Sequence, residues 1–129
     1  MTTSFLEHVN FTVTNPDATA ERLTKWFGWV VRWSGPAKDK GYAVHVGNEN
    51  SYVALYAKPG VDQLQGQDTY ITRGGLNHVA IVVDDLDATE KRILADGIKT
   101  HNHGDYEPGR RFYFHDDDEI EFEVVSYVS

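Results

Sequence analysis

Residues 6–23 read LEHVNFTVTNPDATAERL, and residues 76–93 read LNHVAIVVDDLDATEKRI. Eight of the 18 positions are identical at an offset of 70: Leu6/Leu76, His8/His78, Val9/Val79, Val13/Val83, Asp17/Asp87, Ala18/Ala88, Thr19/Thr89 and Arg22/Arg92. Two copies at so long a period are too few for a solenoid and point instead to a pair of βα-type modules packed together. After the helix the offset drops to 69, so Gly28 matches Gly97, and Ser51–Tyr56 falls on Ile120–Val125. Each copy then reads strand, helix, strand, strand, strand. Both copies keep a histidine at the start, but Ala54 stands in the first copy where Glu123 stands in the second.

Within the first copy, Val9, Phe11 and Val13 alternate with His8, Asn10 and Thr12, which gives a strand with an apolar back and a polar front. Asn15-Pro-Asp17 turns into a helix striped by Leu23, Trp26 and Phe27 and ended by Gly28. Strands are expected at 29–33, 42–46 and 52–56. Ser34–Gly41 reads as a loop, and Gly47–Ser51 as a hairpin turn. Residues 58–74 read as a linker between a first module at about 5–57 and a second at about 75–128, with a short strand at 69–72. In the second copy 100–110 reads as a polar loop, 111–115 as a strand, 116–119 as a turn, and 120–127 as the last strand. Phe122 and Val124 face one way there; Glu121, Glu123 and Val125 face the other.

The chain has 129 residues and a formal charge of −8, so a basic nucleic-acid or anionic-membrane surface is not expected. There is no cysteine, which excludes disulfides, thiolate nucleophiles and Cys-based zinc sites. No apolar run reaches membrane-span length, and no secretory leader is read, so the cytoplasm is the expected compartment.

His8 and His78 occupy equivalent places on equivalent strands, and Glu123 lies on the polar face of the last strand. Two imidazoles and one carboxylate suit a borderline divalent metal with positions left for water or substrate. The alternative is a pair of ordinary strand histidines beside an edge carboxylate, with Glu121 as its solvated companion. Arg111 reads either as a clamp for an anionic substrate or as a salt-bridge partner of the acidic turn Asp116–Glu119. His101 and His103 read as solvated loop residues. Tyr52 and Tyr56 share the parity of Ala54 and would line an aromatic cleft suited to a planar ligand.

The βαβββ pair, the strand start His-Val-Asn-Phe-Thr-Val at 8–13, NHVAIVVDDLD at 77–87 and FYFHDDDEIEFEVV at 112–125 resemble the vicinal oxygen chelate superfamily. That superfamily holds glyoxalase I, bleomycin-resistance proteins, fosfomycin-resistance enzymes and extradiol dioxygenases. The resemblance implies an α+β fold of two tandem modules forming a cleft-lined mixed sheet, with helices outside, and a homodimer. It implies metal ligands at His8, His78 and Glu123 for one Fe, Mn, Ni or Zn ion. Ala54 removes a fourth ligand carboxylate that glyoxalase I has, which puts that isomerase activity in doubt. Tyr113 matches a phosphonate-contacting tyrosine of the fosfomycin enzymes, but His103 and Glu107 replace its neighbours and their C-terminal arginine is not read, so that activity is not assigned. Tyr56, His45 and Tyr113 are the candidate bases; Arg111, Tyr52 and Tyr106 are the candidate substrate contacts. The expectation is a metal-dependent enzyme acting on a small oxygen-chelating substrate. The alternative is a metal-free small-molecule binding protein of the bleomycin-resistance kind.

Overall fold

The structure, a computed structural model, describes residues 3–60, 68–107 and 109–128. The chain divides into two compact units, residues 1–62 and 63–129. Among the described residues there are two α-helices and eight strands in two four-stranded mixed sheets, the expected α+β architecture.

In the first unit the elements are β1 (His8–Thr12), α1 (Pro16–Phe27), β2 (Val30–Ala37), β3 (Gly41–Gly47) and β4 (Tyr52–Ala57). The sheet order is β1-β4-β3-β2, with β1 parallel to β4 and the other pairs antiparallel. The helix forms where the sequence places its signals. The Asn15 side chain accepts a hydrogen bond from the Ala18 N–H, Pro16 needs no donor at the first turn, and Gly28 closes the helix at φ 72°. Leu23 and Trp26 are buried with Phe11, Val13, Val44, Val46, Val53 and Leu55. The alternation read for β1 therefore holds, because only one face has a helix to pack against.

The second unit repeats this plan as β5 (Val79–Val82), α2 (Leu86–Ala95), β6 (Thr100–Tyr106), β7 (Gly109–His115) and β8 (Glu121–Ser126), in sheet order β5-β8-β7-β6. Asp85 caps α2 by accepting from the Ala88 N–H. Phe112, Phe114, Phe122 and Val124 are fully enclosed on the back of the sheet.

Three expectations are corrected. Ser34–Gly41 is not a loop: β2 runs on to Ala37, and a single 3₁₀ turn over Lys38–Lys40 leads straight into β3. Residues 100–110 are not a polar loop either. Thr100–Tyr106 is a strand whose alternation is broken by a bulge between His101 and Gly104, where Asn102 takes φ 53°. An irregular register hides a strand from a period-two reading. Thr69–Ile71 is a 3₁₀ turn capped by Asp68 rather than a strand. Residues 61–67 of the expected linker, and Pro108, lie outside the described residues.

Candidate functional site

The register aligns the two units position by position. Ala54 sits opposite Asn10 and His45, and Glu123 sits opposite Ala80 and Tyr113. The same ladders match Ala43 with Arg111, His45 with Tyr113 and Tyr52 with Glu121.

In the second unit the front of the sheet is a polar network centred on Glu123. β8 is an inner strand, and Glu123 is 7% exposed, so it is not an edge carboxylate. A carboxylate is buried there because both its oxygens are paired. Oε1 lies 3.1 Å from His78 Nε2, and Oε2 accepts from Arg111 Nη1 at 2.8 Å. Arg111 thus pairs with Glu123 and not with the acidic turn. Its Nη2 donates to the Gly109 carbonyl, its guanidinium lies 4.8 Å from the Tyr106 ring centroid, and its buried Nε has no partner among the described residues. Tyr113 stands edge-on to His78 at 5.5 Å. Burial and then the neighbouring Glu123 push the Tyr113 hydroxyl pKa up.

Tyr70 completes the network from the segment read as linker. Its hydroxyl donates to Glu121 Oε1 at 2.5 Å and lies 3.0 Å from His78 Nδ1. The bond to Glu121 and burial raise its pKa to about 12, so it keeps its proton. That single proton goes to Glu121, so His78 Nδ1–H must donate to Tyr70. This assigns the tautomer from the hydrogen-bond network. The electron pair of His78 Nε2 then faces the carboxylate oxygen of Glu123, an arrangement that needs a cation or a second ring proton between them. Two ligand atoms bound at right angles to one ion at ~2.1 Å are ~3 Å apart. His78 and Glu123 fit a divalent metal on that measure. Orientation of a ligating imidazole by a hydrogen bond to its other nitrogen is the usual support of such a site.

In the first unit the corresponding face is aromatic. The His8 and Tyr52 rings stack at 4.9 Å, His45 and Tyr52 at 4.8 Å, Trp33 lies 5.0 Å from His45, and the Arg32 guanidinium lies 4.3 Å from the Tyr52 ring centroid. His8 Nδ1 is 2.9 Å from Glu7 Oε1. Burial, then the charges of His8 and Arg32, lower the His45 pKa. The Tyr56 hydroxyl donates to the Lys38 carbonyl at 2.6 Å.

His103 is exposed, as expected, but neither it nor His101 is without a partner. His101 Nε2 lies 3.1 Å from His115 Nδ1, and His103 Nε2 lies 2.6 Å from Glu90 Oε2 on α2. Among the described residues, His101, His115 and Glu121 form a group whose ligand atoms all lie within 4.8 Å of one another. Sequence reasoning missed Tyr70, the Arg111–Glu123 pair and this group. The pair was within reach: Arg111, Tyr113 and His115 alternate with Phe112 and Phe114, which puts Arg111 on the same face as Glu123.

The sequence model of the Glyoxalase/Bleomycin resistance protein/Dioxygenase superfamily matches residues 5–124. No curated protein matches the chain. Among solved structures, a glyoxylase/bleomycin resistance protein/dioxygenase domain from Frankia sp. EAN1pec is 25% identical with a TM-score of 0.80, covering 97% of this chain and 98% of that one. The fosfomycin resistance protein FosX from Listeria monocytogenes, in complex with Mn(II) and sulfate, is 22% identical with a TM-score of 0.72 over 97% of this chain and 93% of that one. A glyoxalase I mutant from Zea mays is 24% identical with a TM-score of 0.76, covering 95% of this chain and 44% of that one. Among the described residues no helix is long and apolar enough to cross a membrane. From the first strand of one unit almost to the end of the last strand of the other, the chain belongs to the glyoxalase/bleomycin resistance protein/dioxygenase superfamily.

Proposed function

We propose that this chain is a divalent-metal-dependent enzyme acting on a small substrate that offers two neighbouring oxygens. His78 and Glu123 hold the metal, and the repeat makes His8, the counterpart of His78, the candidate for a third ligand. The observation that carries the reading is the approach of His78 Nε2 to Glu123 Oε1 at 3.1 Å, with Nδ1 fixed by Tyr70. Iron, manganese, nickel or zinc suits that donor set. The ion would supply Lewis acidity to the substrate oxygens.

The surrounding side chains divide the remaining work. Tyr113 has a raised pKa and holds its proton toward Glu123, so it orients that carboxylate rather than acting as a base. Tyr56 has its proton committed to Lys38. His45, with its pKa lowered, is neutral and has an electron pair to accept a proton, which makes it the better of the three candidate bases. Arg111 balances the charge of Glu123 and holds the carboxylate in orientation. Tyr106 packs against the guanidinium, while the Tyr52 ring is taken up by His8, His45 and Arg32 and so shapes the aromatic face beside a substrate rather than stacking on it. We also propose a cytoplasmic homodimer, a reading supported by the exposed Val30, Val31 and Trp33 on the edge strand β2.

The second reading, metal-free binding of a small molecule, is favoured by the same Arg111–Glu123 pair, since Glu123 has a cation beside it already. Metal content by inductively coupled plasma mass spectrometry separates the two. Protein purified without chelator is compared with His78→Ala and Glu123→Ala. The enzyme reading predicts the loss of one equivalent of metal per chain in both variants; unchanged metal content in both would refute it.

A further inference from the structure

His101, His115 and Glu121 gather at one corner of the second unit, each from a different strand of three neighbours. His115 ends β7 and faces Glu121 directly across the ladder, while His101 lies on β6 just before the bulge. The two imidazole rings are 5.1 Å apart and inclined by 20°, with ring nitrogens 3.1 Å from each other. The ligand atoms of all three residues fall within 4.8 Å. Two neutral imidazoles at this distance share only one N–H···N bond, so the carboxylate brings a further acceptor to a place already rich in lone pairs. The following turn, Asp116-Asp117-Asp118-Glu119, adds negative potential beside the corner. All three side chains keep some solvent exposure, which leaves room for water to complete a coordination shell.

We propose that His101, His115 and Glu121 form a second divalent-cation site, of the two-imidazole, one-carboxylate type that zinc favours. Its Glu121 also accepts from Tyr70, which orients His78, but none of its three ligands is assigned above to the ion held by His78 and Glu123. The ion replaces the single N–H···N bond by two coordinate bonds and neutralises the carboxylate.

The test is a titration of the chelator-treated full chain with Zn²⁺ alone, following the side-chain ¹⁵N resonances of its six histidines by NMR. The expected result is that His101 and His115 respond together and saturate with a dissociation constant on the order of micromolar or tighter. Glu121→Gln should weaken that response by about tenfold or more while leaving the amide spectrum folded. His78 reports the other site in the same spectra, so failure of one assignment is visible apart from failure of the other. Saturation of the chain with His101 and His115 unmoved, or an equally tight response in Glu121→Gln, would overturn the proposal.

Discussion

The two units share one backbone plan and differ at its centre. Ala43 and Ala54 stand on the first sheet where Arg111 and Glu123 stand on the second. Ala43 and Ala54 are 3% and 1% exposed, and beside them His45 stacks on Tyr52 and meets Trp33 at a tilt. In the second unit a buried ion pair fills the equivalent space and reaches His78 and Tyr113. The difference teaches that a carboxylate at this strand position must come with its own cation. Taking a charge out of water costs more than a fold of this size can spare unless it is paired.

The sharpest break of the comparison is Ala54→Glu. It buries a carboxylate beside His45 and Asn10 with no arginine to meet it, and should cost about 5 kcal/mol in urea unfolding. Adding Ala43→Arg should restore part of the loss, and no recovery would mean that the two sheets are less equivalent than their ladders indicate. The reverse change, Glu123→Ala, strands a guanidinium that is 12% exposed and should cost about 3 kcal/mol, readable in the same experiment.

A smaller effect concerns Asp116, which folds the acidic turn by accepting from the Asp118 and Ile120 N–H groups. Burial raises its pKa from 3.8 to about 6. The folded pKa lies above the unfolded one, so the native chain binds this proton more tightly. Its contribution is most favourable below 3.8 and is lost as pH rises to about 6, at up to about 1.4 kcal/mol per pH unit. Asp116→Asn should remove that slope from the difference between the two stability–pH curves. The mildest change is Tyr70→Phe, which deletes the bonds to Glu121 and His78. It should cost about 1 kcal/mol of stability and free the tautomer of His78, visible in its ring ¹⁵N shifts.

Much of this was legible in the sequence, and for a physical reason. The repeat of 6–23 at 76–93 carries caps, apolar faces and both histidines, and each of those signals is local. The parity of Phe122, Glu123 and Val124 sends Glu123 to the front of the sheet because strand side chains alternate. What escaped depends on contacts that no local pattern carries. The bulge at Asn102 disguised β6, and with it the pairing of His101 with His115. Tyr70 lies in a stretch with no periodicity, and only its contacts with His78 and Glu121 reveal its part. Arg111 could be placed on the face it shares with Glu123, which offered the pair without excluding the acidic turn, also within reach of a long side chain.

The central claim is that His78 and Glu123 share a metal ion. It is tested most directly by the anomalous scattering of a crystal grown with Mn²⁺. The account predicts an anomalous peak within coordinate-bond distance of both His78 Nε2 and Glu123 Oε1, with Arg111 still paired to Oε2. A fully loaded crystal with no peak there, and with His78 hydrogen-bonded to Glu123 as it would be in a metal-free binding protein, would contradict it.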